Sequence, residues 1–168
     1  MINNSLLANI FSCIGTFLLA YSTFSKSKKN MLWIQVGDCG FNALGNFFIG
    51  SYSAMTTNFI CLIRNIINAK GKLNNFLLSI ISVFILIIGI LVNKIGYIGL
   101  LPPIASVQYT IWSSKVKSAQ GLRYGLIINL ILWFIHDLYV KLYPAIIIDI
   151  LVSLITLYNI IFSKYAKD

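Results

Sequence analysis

Residues 34–65 read IQVGDCGFNALGNFFIGSYSAMTTNFICLIRN, and how that stretch is taken decides the fold. It is apolar enough for two membrane-crossing helices, yet Gln35, Asp38, Asn42, Asn46 and Asn58 are strung through it. In hydrocarbon each such group is costly unless it finds a partner or lines a wet cavity. On the first helix, Gln35, Asp38, Asn42 and Gly45 or Asn46 recur at i+3 and i+4 and so form one stripe. Gly37, Gly40 and Gly45 would let neighbouring backbones approach closely, as small residues do in membrane bundles. The second helix repeats the theme with Asn58, Cys61, Asn65 and Asn68.

The whole chain shares this character. Of its 168 residues 58% are hydrophobic and 10% charged, and the mean hydropathy is +0.85. A soluble domain of this size cannot hide so much apolar surface, so an all-α integral membrane protein is expected. The formal charge is +9, with the cations in short clusters between apolar runs. That is the pattern of loops on the inner side of a membrane, and it argues against nucleic acid as the partner. Cys13, Cys39 and Cys61 lie inside apolar runs without metal-ligand spacing, as small packing residues do. The N-terminus lacks a basic n-region and a small-residue cleavage site, so its first apolar run is expected to be a retained helix.

Seven candidate helices follow, at about 5–24, 31–49, 52–69, 75–93, 96–113, 122–140 and 143–162. With the N-terminus outside, the inner side receives Lys26, Lys28, Lys29, Arg64, Lys70, Lys72, Lys115, Lys117, Arg123, Lys164 and Lys167, leaving only Lys94 and Lys141 outside. The predicted topology is therefore seven transmembrane helices, N-out and C-in. The fourth run, residues 75–93, carries no ionisable group in its apolar core and reads as a lipid-facing linker. Inserting one helix allows the three before it (5–70) and the three after it (96–163) to run in the same direction as parallel three-helix bundles, a 3+1+3 arrangement in a single membrane domain. An offset of 91 residues tests this. Lys26-Ser27 falls on Lys117-Ser118, Tyr52 on Tyr143, Asp38 on Asn129, Asn46 on Asp137, and Asn58 on Asp149. Acid and amide exchange places at three intramembrane positions.

In the second half Asn129, Trp133 and His136 or Asp137 share a face, and Asp149, Ser153, Thr156 and Asn159 form a matching stripe. Such groups can simply bond one another across helices, at about 0.6 kcal/mol each. For Asp38, Asp137 and Asp149 a functional reading is stronger, because an acid inside a membrane usually marks a pathway or proton site. Asp137 lies nearer the outer end, within reach of water. His136 and Asp137 are adjacent, point about 100° apart, and have no evident nucleophile or second ligand, which argues against catalysis and metal binding. A pH-sensitive gate is the alternative. Arg64 reads either as an anchor snorkelling to the inner interface or as an ion-pair partner of Asp38. Pro102-Pro103 should kink or break the fifth helix, as a hinge or gate element for alternating access or merely as a re-entrant bend. Tyr109, Trp112, Trp133 and Tyr139 are belt aromatics or cavity walls, with Trp133 the best wall.

The segments LGNFFIGSYSAMTTNFICLIRN and LPPIASVQYTIWSS…GLRYGLIINLILWFIHDLY resemble the YgjV-type bacterial inner-membrane family. That resemblance implies a bacterial cytoplasmic membrane location and a fold similar to the SWEET, PQ-loop and KDEL-receptor arrangement. There a polar residue on the third helix of each bundle faces a central cavity, which maps onto Asn58 and Asp149. The chain departs from the pattern in lacking a Pro-Gln dipeptide and a proline in the first bundle. The expected function is a transporter or facilitator of a small polar solute, binding through Asn58, Asp149, Asp38, Asn129, Asn42 and Trp133, with Asp149, Asp137 and His136 as proton-coupling or gating groups. The alternative is a non-transporting receptor or assembly factor holding a peptide or lipid. No enzyme activity, cofactor or metal is expected. The expected partners are the solute and the lipid bilayer, with room for a homo-oligomer.

Overall fold

The computed structural model describes residues 4–162, and every regular element among them is a helix. In order these are α1 (Asn4–Ser22), α2 (Lys28–Phe48), α3 (Tyr52–Ala69), α4 (Asn75–Leu91), a 3-10 turn (Gly96–Leu100), α5 (Leu101–Lys115), α6 (Ala119–Val140) and α7 (Tyr143–Phe162). Lys164 and Lys167, assigned above to the inner side, lie outside the described residues.

Local signals set the boundaries. Ser27 and Ser118 each N-cap a helix, accepting from the backbone N–H of Asn30 and Gly121. This satisfies a donor that the first turn leaves free. The two serines are 91 residues apart, and so are the first residues of α2 and α6 and of α3 and α7. The Gly50 and Lys141 turns both use left-handed backbone, with φ of 78° and 62°. Only a tight connection requires that. The fifth helix departs from expectation. Pro102 and Pro103 occupy the first turn of α5, behind the 3-10 turn, rather than a kink in its interior. Proline is cheap there because first-turn N–H groups have no helical acceptor. The break expected of the pair falls ahead of it, at the junction of the two helices.

Helix α2 packs on both α1 and α3, and α6 on both α5 and α7. The two sets meet through α1 with α7 and α3 with α5, and α4 lies against α3 and α5. Gly45 lets α2 come down on the α1 backbone, since a Cβ there would sit 3.0 Å from the Ala8 carbonyl oxygen. Gly89 does the same for α4, whose backbone passes directly over Pro103.

The distribution of polarity is inverted relative to a soluble protein. Buried positions include Gln35, Asp38, Asn46, Asn58, Arg64, Asn65, Arg123, His136, Asp137 and Asp149, while Phe17, Phe59, Phe76, Ile90, Leu151 and Phe162 face outward. An outer surface of this kind suits lipid. Three helices, α1, α6 and α7, are long and apolar enough by composition to cross a membrane, and α4 is a shorter apolar helix. Helices α2 and α3 carry the inward-turned amides, which lower their hydropathy.

Candidate functional site

A cavity of about 60 Å³ lies between six of the seven helices, enough for several water molecules. Its lining comes from Thr16 on α1, Gln35, Asp38, Asn42 and Asn46 on α2, Asn58, Arg64 and Asn65 on α3, Ser106 and Tyr109 on α5, Asn129, Trp133 and Asp137 on α6, and Asp149 on α7. Helix α4 contributes nothing, in keeping with its apolar sequence. All three offset pairs, Asp38 with Asn129, Asn46 with Asp137 and Asn58 with Asp149, line this one space. Of the chain's four acidic residues, the three within the described residues all line it.

Asp38 Oδ1 accepts from Asn42 Nδ2 at 2.7 Å, and Asn46 Nδ2 donates to the Asn42 carbonyl at 2.9 Å. The i+4 stripe of α2 is thus a hydrogen-bonded ladder along the cavity wall. Asn129 Nδ2 donates to the Ala105 carbonyl at 2.9 Å, tying α6 to α5. Tyr109 OH donates to Gln35 Oε1 at 3.2 Å, so this tyrosine is a cavity wall. Trp133 is a wall as well, while Trp112 and Tyr139 are exposed. Four polar atoms of the lining have no partner and are buried: Asn58 Nδ2, Asp149 Oδ2, Gln35 Nε2 and Asn46 Oδ1.

Arg64 corrects both expectations made for it. It is 3% exposed and so does not snorkel, and its hydrogen bonds are not to Asp38. Its Nε and Nη2 donate to Asn65 Oδ1 at 3.1 and 2.8 Å. Its Nη1 donates to Thr110 Oγ1 at 2.8 Å and to the Ser106 carbonyl at 3.3 Å. The guanidinium also lies over the Tyr109 ring, 5.2 Å from its centroid. A planar fork can hold several acceptors at once, which is why an arginine can sit here.

Asp137 is buried and lines the cavity with Asp38 and Asp149, rather than standing on the outer surface. Its Oδ1 lies 2.8 Å from His136 Nδ1, despite the 100° between neighbouring helical positions. On the other side of the ring, His136 Nε2 is 3.0 Å from Ser51 Oγ, and the Trp133 ring meets the imidazole edge-on. Ser51 heads α3 but gives no side-chain cap to it, its hydroxyl being turned to the histidine instead. Sequence reasoning missed this serine, because nothing local marks a turn residue as the partner of a histidine 85 positions away.

A second set of contacts, also not anticipated, closes the end of the molecule where the basic clusters gather. Arg123, near the start of α6, donates from Nε and Nη2 to the Thr23 carbonyl at 3.1 and 3.0 Å, and from Nη2 to the Ser25 carbonyl at 3.1 Å. Both acceptors follow the end of α1. Lys28, at the start of α2, donates to the Ser113 and Val116 carbonyls at the end of α5, at 2.7 and 2.9 Å. Each set's middle helix therefore caps the first helix of the other set. Beneath these caps Met31, Leu32, Leu122, Leu126 and Leu130 form an apolar plug. The cluster at the opposite end, Ala8, Leu142 and Ala145, is smaller.

Among the described residues no group of His, Cys, Asp or Glu is arranged to hold a metal ion. The family model for Imp-YgjV, a bacterial inner membrane protein, matches residues 6–166. The chain belongs to that family. It is accordingly a bacterial inner membrane protein, and its several membrane-capable helices fit a multi-pass member. Searches of curated proteins and of solved structures returned no match.

Proposed function

We propose that this Imp-YgjV member moves a small polar solute across the inner membrane by alternating access through the central cavity. The observation that carries the reading is the convergence of six helices' polar side chains on one cavity, with three offset-related acid–amide pairs in it. On this reading all seven helices cross the bilayer, N-out and C-in, as two parallel three-helix bundles with α4 as linker, similar to the SWEET-like arrangement. The shared 91-residue offset of caps and helix starts supports the repeat. The crossed caps and the apolar plug make the basic end the closed gate of the present conformation. Asn58, Asp149, Asp38, Asn129, Asn42 and Trp133 form the binding surface. Asp149 is the acid through which transport couples to protons, with Asp137 and His136 beside it at the opposite gate, and the 3-10 junction ahead of Pro102 and Pro103 is the hinge.

The test is solute exchange in proteoliposomes with an imposed pH gradient, comparing wild type with Asn58→Ala and Asp149→Asn. Exchange in wild type that both substitutions reduce at least tenfold is expected. Absence of exchange for every solute class, with a peptide or lipid co-purifying in the cavity, would establish the rival receptor or assembly-factor reading. The Ser51–His136–Asp137 string is read as a packed tie rather than a nucleophile set. Ser51 and His136 are both buried, and the hydroxyl faces the imidazole rather than the cavity lining.

A further inference from the structure

The cavity's ionisable groups are mostly acidic. Three carboxyl groups, Asp38, Asp137 and Asp149, line it together with one cation, Arg64. The guanidinium is already occupied by Asn65, Thr110 and Ser106 through Nε, Nη1 and Nη2. An anionic solute would find no free cationic fork and would face three carboxyls. A neutral polyol would bring no cation to the unpartnered Asp149 oxygen.

The three acids are not equivalent. Asp38 is held by Asn42 and Asp137 by His136. Asp149 is 4% exposed and its Oδ2 has no partner. At the position 91 residues earlier stands Asn58, 7% exposed, whose Nδ2 is also without a partner. A buried carboxylate oxygen asks for a charged donor, and a buried amide N–H for an acceptor. Trp133 adds an aromatic wall, against which an organic cation is favoured over a strongly hydrated inorganic one.

We propose that the cavity selects a small organic cation, a protonated amine bearing a hydroxyl or similar acceptor, with the Asp149 carboxylate as counter-charge, Trp133 alongside and Asn58 donating to the acceptor. The proposal rests on the central-site reading above and names the solute class for it.

The experiment uses matched solutes differing only in charge: ethanolamine, ethylene glycol and glycolate, then glucosamine, glucose and gluconate. Binding is read as the thermal shift of the full-length protein in detergent at constant potassium ionic strength, with sodium chloride as a separate arm, and transport as exchange in proteoliposomes. At least one amine raises the melting temperature above its neutral and anionic counterparts, and Asp149→Asn weakens that binding at least tenfold. Lys141→Gln, at a turn away from the cavity, leaves it unchanged. Should Asp149→Asn fail to fold, Asp149→Ser and Asn58→Ala carry the same comparison. A stronger shift with the neutral or anionic members, or the same shift from sodium chloride alone, overturns the organic-cation class. If those members are also exchanged, the transport reading survives that failure. Amine binding without exchange preserves the ligand class and overturns transport. No binding and no exchange for any solute overturns both.

Discussion

His136 is fixed on both sides, by Ser51 Oγ at 3.0 Å and Asp137 Oδ1 at 2.8 Å, and has no exposed surface. Replacing it by alanine leaves two buried polar groups without partners. Each loses about 1–3 kcal/mol of compensation, so His136→Ala should lower the thermal midpoint markedly. His136→Gln, which can still reach one partner, should recover part of the loss. A midpoint for His136→Ala equal to that of wild type would show that the string contributes little. Arg64 invites a sharper comparison. A lysine there keeps the charge but cannot bridge Asn65 and Thr110 at once. Arg64→Lys should therefore destabilise nearly as much as Arg64→Met, by about 1–3 kcal/mol for the buried acceptors it abandons. A lysine variant as stable as wild type would mean that charge alone matters at this site.

At the level of elements, the crossed caps hold the two helix sets together at the basic end. Removing them with Lys28→Met and Arg123→Gln should loosen that end without touching the cavity wall. Cys39 and Cys61 line the cavity and are buried, whereas Cys13 is exposed. In a Cys13→Ser background, a charged thiol reagent should therefore label Cys39 and Cys61 slowly, and several-fold faster in the double variant. Unchanged labelling would show that the apolar plug closes the end by itself. Gly45 is the matching point between α1 and α2. Gly45→Leu would drive a side chain into the α1 backbone and should cost about 1–3 kcal/mol or more, read as a lower melting temperature.

Across the whole molecule, periodicity and turns made most of the helices readable. The expected 52–69 and 143–162 coincide with α3 and α7. The tight turns at Gly50-Ser51 and Lys141–Tyr143 leave the chain little choice there. The fifth helix was misplaced because five residues ahead of Pro102 form a 3-10 turn, which an apolar pattern does not distinguish from α-helix. The candidate cavity residues were legible because an amide or acid in an apolar helix is conspicuous. Ser51, Lys28 and Arg123 were not, since a turn serine and two loop-edge cations look ordinary until the partner 85 to 100 residues away is known. The proposed topology carries its own test. Single cysteines at Lys94 and Lys141 should react with an impermeant reagent from outside, and those at Lys72 and Lys115 only after the membrane is permeabilised. The reverse pattern would invert the orientation.

The crossed caps also give the molecule a resting posture. Lys28 opens α2 and Arg123 lies one turn into α6, both close to helix starts where free backbone N–H groups present partial positive charge. Reaching across to the carbonyls that end α5 and α1 exchanges that repulsion for attraction, and gives acceptors to two cations at once. Parting the two halves at that end returns each cation to the field of its own helix. If the chain works by the alternating access proposed above, its basic side is biased shut when empty, like a door on a weak spring, and the bound solute must supply the work of opening it.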